Sequence, residues 1–90
     1  MILEVIEARR IAEDAAASRL LAGKVLLAAE ARLQETEALW SEGLAVDSDR
    51  LASIARRNRA RSIERVTALR ESVAIATLLD VTGQSWSEDQ

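Results

Sequence analysis

The sequence predicts an all-α fold, a long antiparallel two-helix hairpin of coiled-coil character. Three observations predict it: a helix-forming alphabet, apolar residues at three- and four-residue steps, and one concentrated break near the middle. The chain has 90 residues, of which 49% are hydrophobic and only 2% aromatic. Ala and Leu make up most of the apolar total, and both head the intrinsic helix ranking, with Arg, Glu and Lys close behind. Pro is absent and Gly occurs three times, so little interrupts a helix.

From Ile2 to about Ser41 the pattern is that of one continuous helix. Val5, Ala8, Ala12, Ala15, Ala22, Leu26, Ala29, Leu33 and Trp40 recur on one side. Ile2, Ile6, Leu20, Leu21, Val25 and Leu27 form a second apolar series flanking the first. A sector this wide suits a helix with neighbours on two sides, where a single partner needs only a narrow seam. Gly23 sits inside the pattern, either for close packing or as a tolerated weakness costing about 1 kcal/mol relative to Ala.

The break falls at about residues 42–48. Gly43 can take the left-handed conformation that closes a helix, and Asp47 or Ser48 can cap the next one. Asp49 then stands in the first turn, where its charge suits the helix dipole. The second helix is expected over about 49–82, with Leu51, Ile54, Ala55, Ile63, Val66, Leu69, Val73, Ala76 and Leu79 as its apolar positions. Gly83 is the next stop signal, leaving 83–90 as a frayed polar tail. A helix of more than thirty residues is a rod of roughly 50–60 Å.

So short a turn makes the helices antiparallel, and residues equidistant from position 45 face each other. Glu30, Glu35 and Glu37 then come level with Arg56, Arg57, Arg59 and Arg61, and Arg9 and Arg10 come near Asp80. Each such pair is worth about 0.2–1 kcal/mol, enough to choose a register but not to hold the helices together. A chain this short buries a modest fraction of its surface, and a broad apolar sector left over predicts self-association into a helical bundle or barrel.

Composition narrows the function. His, Cys and Tyr are absent, which removes thiol and imidazole chemistry, disulfides, thiolate metal sites and the Glu-x-x-His motif of carboxylate di-metal sites. Carboxylate pairs such as Glu13/Asp14 or Asp47/Asp49 need a desolvated concavity to act as acid and base. No catalytic residue, metal or cofactor is expected. Twelve basic and fifteen acidic residues give a net charge of −3, too balanced to predict nonspecific binding to nucleic acid or anionic lipid. No run approaches the ~18 apolar residues of a membrane span, and Met1 to Arg10 lack a signal-peptide core.

Two clusters remain. Arg56, Arg57, Arg59, Arg61 and Arg65 form the densest positive stretch, a candidate phosphate-binding face of a Rop-type hairpin dimer. Interleaved aromatics are missing there and acids lie opposite, so a salt-bridged solvent face is the expectation and nucleic acid is not the expected partner. Trp40 and Trp86, the only aromatics, each adjoin an expected break. Either can staple a helix end, and Trp40 can instead anchor a partner at the turn.

Around the turn, Trp40, Gly43, Leu44, Asp49 and Leu51 stand in an order that resembles the periplasmic helical repeat of outer-membrane efflux proteins, the TolC family. Leu78, Gly83 and Trp86 echo the end of that repeat, and the likeness covers about residues 25–86. The resemblance implies a hairpin of a periplasm-spanning α-barrel whose tip, here Trp40, Gly43, Leu44, Asp49 and Leu51, docks the helical hairpin of an adaptor protein. The chain departs from the family in lacking strand-like segments and a second repeat. The resemblance places the hairpin in the periplasm; without it, a cytoplasmic chain is expected. The readings carried forward are an assembly module, a nucleic-acid-binding hairpin dimer, and a purely structural or designed helical scaffold.

Overall fold

The computed structural model describes residues 2–88, with side-chain environments over 2–83. Among the described residues there are two helices and no strand: α1, Ile2–Ser41, and α2, Asp47–Glu88. No helix of the described residues is long and apolar enough to cross a membrane. The chain divides into two units, one turn-side (Leu21–Arg65) and one terminal (Met1–Leu20 with Val66–Gln90).

In the turn-side unit α1 and α2 run back along each other from the Glu42–Val46 turn. Their shared seam is built from small side chains: Ala22, Ala29, Ser53 and Ala60 are buried, Ala60 to 5% exposure. The Thr36 hydroxyl donates to the Arg32 carbonyl at 2.9 Å, so at 3.0 Å the Ser53 hydroxyl is the donor to Thr36. Ser53, the one buried polar residue among the described residues, thus spends its hydrogen across the seam, which offsets its desolvation. Arg61 pairs with Glu30 at 3.8 Å and Arg50 with Glu37 at 2.8 Å.

The terminal unit repeats the scheme. Ala8 and Ala74 are buried, Val5, Ala12, Ala15, Thr67 and Ala68 are half-buried, and Arg19 meets Glu71 at 2.6 Å. Midpoints of the Arg19–Glu71, Glu30–Arg61, Glu37–Arg50 and Thr36–Ser53 pairs all fall between positions 43 and 46, which is the expected antiparallel register. Arg9 and Arg10 depart from it. They pair along their own helix, with Glu13 at 3.4 Å and with Asp14 and Glu7 at 3.5 and 3.9 Å, because partners one turn away are available without any tertiary contact.

Buried and half-buried small residues follow a seven-residue spacing. Ala8, Ala15, Ala22, Ala29 and Thr36 mark it on α1, and Ser53, Ala60, Thr67 and Ala74 on α2. Of the first apolar series on α1, all but Trp40 are buried or half-buried, while the flanking series from Ile2 to Leu27 is exposed throughout. On α2 the outcome is reversed. Of the expected apolar positions only Ile54 is half-buried; Leu51, Ala55, Ile63, Val66, Leu69, Val73, Ala76 and Leu79 are exposed. The half-buried places on α2 include Arg57, Arg61, Glu64 and Glu71. Long charged side chains can lie along a narrow seam with their heads in water, whereas a Leu knob would force the seam apart.

Two boundaries differ from expectation. Helix α2 begins at Asp47, and it passes through Gly83 to Glu88 where a stop and a frayed tail were expected. Glycine lowers helix propensity but ends a helix only by turning left-handed, and Gly43 is the one described residue with positive φ. The expectation for the Trp86 side chain, and the part of the tail expectation that concerns residues 89–90, lie outside the described residues.

A Cβ built on Gly23 meets nothing within 4 Å, so this glycine serves no close approach. Gly23→Ala should raise stability by about 0.5–1 kcal/mol. Ala60→Leu should lower it by about 1–3 kcal/mol by wedging the seam. Urea unfolding followed by circular dichroism at fixed protein concentration checks both.

Candidate interaction surfaces at the turn and along the helices

The turn is closed by backbone geometry before any side chain takes part. Gly43 has φ of 76°. Its N–H donates to the Trp40 carbonyl at 3.0 Å, and the Leu44 N–H donates to the Leu39 carbonyl at 2.8 Å. These are the paired bonds that satisfy the last carbonyls of a helix ahead of a left-handed residue. Leu39 and Leu44, the positions that accompany such an ending with an apolar contact, line one hollow. On the far side the Val46 carbonyl takes the N–H groups of Asp49 and Arg50 at 3.1 and 3.3 Å. Val46 is therefore the N-cap, one residue ahead of the two expected candidates, and Asp47 and Asp49 occupy the first turn, where negative charge favours the helix dipole.

The Asp47 carboxylate has a different task. It accepts the Trp40 indole N–H at 2.7 Å. Arg50 lies over the same ring, its guanidinium carbon 4.5 Å from the centroid, and donates through Nε to Glu37 at 2.8 Å. Glu37 and Trp40 stand one turn apart on α1, Asp47 and Arg50 one turn apart on α2. The four form a chain, Glu37–Arg50–Trp40–Asp47, that crosses between the helices three times. A cation over an indole contributes about 0.5–1 kcal/mol when exposed, and a hydrogen bond to a charged group about 1.5–3 kcal/mol. Trp40 is thus held as a staple. The signal was present in the sequence as Glu-x-x-Trp and Asp-x-x-Arg placed about Gly43, but only the fold shows that the two pairs meet.

The expected tip residues divide accordingly. Leu44, 71% exposed, and Asp49 line a hollow of about 400 Å³ together with Leu39, Ala45 and Ala52. Leu51 lies two residues past Asp49, about 200° around the helix, and is exposed away from that hollow. Trp40 belongs to the clamp, and Gly43 makes the turn without lining the hollow.

Arg56, Arg57, Arg59, Arg61 and Arg65 do not share a face. At about 100° per residue they spread around α2. Arg61 faces Glu30, Arg57 is half-buried with Nε donating to Asn58 at 3.0 Å, and Arg65 is exposed. Arg56 and Arg59 come together with Arg32 beside a groove of about 280 Å³ floored by Val25, Ala28, Ala29, Ala60 and Ile63. In the terminal unit a groove of about 580 Å³ runs between Ile11, Ala15 and Ser18 on one helix and Arg70, Val73 and Thr77 on the other. No group of three or more potential metal-ligating side chains occurs among the described residues.

Comparison of the chain with known families, curated proteins and solved structures found no match. The clamp is open to a direct test. Trp40→Phe keeps an apolar ring but loses the indole N–H, so stability should fall by about 1–2 kcal/mol. Because Asp47 is exposed and can be rehydrated, Asp47→Asn in the Trp40→Phe background should cost little more. A double-mutant cycle in urea measures the coupling.

Proposed function

We propose that this chain is a non-catalytic assembly module, a helical hairpin that self-associates through its outward Leu, Ile and Val faces and offers its turn to a partner's helices. In this it would act like the periplasmic hairpins of the outer-membrane efflux proteins that its turn resembles. One observation carries the reading: each unit buries small side chains and leaves most of its large apolar side chains exposed. Leu20, Leu27, Leu69 and Leu79 are each about two-thirds exposed, although full burial of such a side chain favours folding by about 1.5–3 kcal/mol. Patches of this kind mark interaction surfaces. The exposed Leu44 beside Asp49 supports the turn as a docking point, apolar at its centre and charged at its edge.

Sedimentation equilibrium at micromolar concentration should show an oligomer, and a stable monomer would overturn the reading. Leu69→Ala separates the two cases energetically. On a lone hairpin an exposed truncation changes stability by no more than about 0.5 kcal/mol. Within an assembly it should cost about 2–5 kcal/mol and make the melting temperature more dependent on concentration. For the turn, Leu44→Asp should leave helicity unchanged and abolish binding to a soluble adaptor-type hairpin, as measured by titration calorimetry. Undiminished binding would remove the docking role from the turn.

A further inference from the structure

We infer that the arginine-rimmed groove of the turn-side unit seats the α1 of a second copy, with the acidic terminal unit of one chain set against the basic turn-side unit of the other. This rests on the self-association proposed above and adds to it an interface and a register. The groove has Val25, Ala29, Ala60 and Ile63 for a floor and Arg32, Arg56 and Arg59 for a rim. None of the three arginines has an ion-pair partner within 4.0 Å among the described residues. Glu35 and Asp49 lie in the adjoining hollow towards the turn.

An apolar floor gains from being covered, but covering it with apolar groups alone would desolvate three cations without compensation. The occupant must therefore bring apolar side chains and carboxylates together. A phosphate backbone supplies charge and leaves the floor wet. The chain itself has the needed surface: on α1, exposed Ile6, Glu13 and Leu20 stand at seven-residue steps, with exposed Glu7 and Asp14 at the next position round the helix. Those carboxylates hold solvent-exposed pairs with Arg9 and Arg10 along their own helix, and exposed pairs of this kind are weak, so re-pairing across an interface costs little.

Charge then selects the register. The terminal unit carries eight acidic and four basic residues, net −4, and the turn-side unit seven and eight, net +1. Between positions 56 and 65 there are five Arg and one Glu. Pairing like ends would bring two such stretches together, whereas pairing opposite ends brings carboxylates to the rim.

The test uses the full chain and two charge-reversed variants, Arg56→Glu/Arg59→Glu and Glu13→Lys/Asp14→Lys, in sedimentation equilibrium at about 0.05 M and about 0.5 M salt. Each variant alone should self-associate about tenfold or more weakly than the parent at low salt. An equimolar mixture should associate at least as tightly as the parent, because each reversed site then meets its complement. Should a reversed variant lose helicity by circular dichroism, Arg56→Gln/Arg59→Gln replaces the first, with weakening expected and no rescue required. Variants that associate as tightly as the parent, or a mixture with no rescue, overturn the groove assignment while leaving self-association standing. A monomeric parent overturns both. Tight binding of a short RNA duplex that depends on Arg56 and Arg59, with self-association unaffected by their reversal, would assign the rim to phosphate instead.

Discussion

The approach of α1 to α2 depends on side-chain size at a few positions. Ala8, Ala22, Ala29, Ser53, Ala60 and Ala74 are the buried residues of the described chain, and nothing larger than Ala or Ser is among them. Interaxial distance is set by the side chains at the contact, so a seam of such residues brings two backbones close. Closeness has a consequence for everything else. No large apolar side chain is fully buried among the described residues, and on α2 most of them are rotated outward to where Leu69 and Val73 stand.

The turn obeys a second, local constraint. A left-handed residue at Gly43 satisfies the end of α1 with two backbone bonds, and the Val46 carbonyl opens α2 only three residues later. That brevity places Trp40 opposite Asp47 and Glu37 opposite Arg50. The clamp therefore follows from the turn and also reinforces it, since an indole bonded on its edge and covered by a guanidinium on its face has little rotational freedom. Rigidity there suits docking, because a preformed surface loses less entropy when it binds.

Both helices, their antiparallel sense and the Gly43 ending were legible in the sequence because each rests on local chemistry: propensity, periodicity and the special conformation of glycine. The inward face of α1 was legible too, since its apolar series and its buried series coincide. The inward face of α2 was not. Hydrophobicity points to Leu51, Val66, Leu69 and Leu79, and the face that packs is Ser53, Ala60, Thr67 and Ala74 with charged neighbours. Size decided where polarity misled, and size matching across a seam is a property of two helices read together. The same limit hid the clamp, whose four residues stand in two separate i, i+3 pairs, and it made Arg56 to Arg65 look like one face when helical rotation scatters them. Gly83 misled in a simpler way, because a residue permitted to end a helix is not obliged to.

A seam of small side chains leaves little apolar burial within one hairpin. Short chains bury a smaller fraction of their surface against the entropy of ordering them, and here most of the groups that could contribute most face water. Ion pairs do not compensate, since the exposed ones contribute tenths of a kilocalorie. The self-association proposed above would add burial through faces that are apolar at their centre and charged at their edge. Under that proposal folding and association are coupled, and the chain's stability would depend on its own concentration. The alanine seam is the physical root of the proposal: by keeping most of the leucines out, it leaves them available to a neighbour.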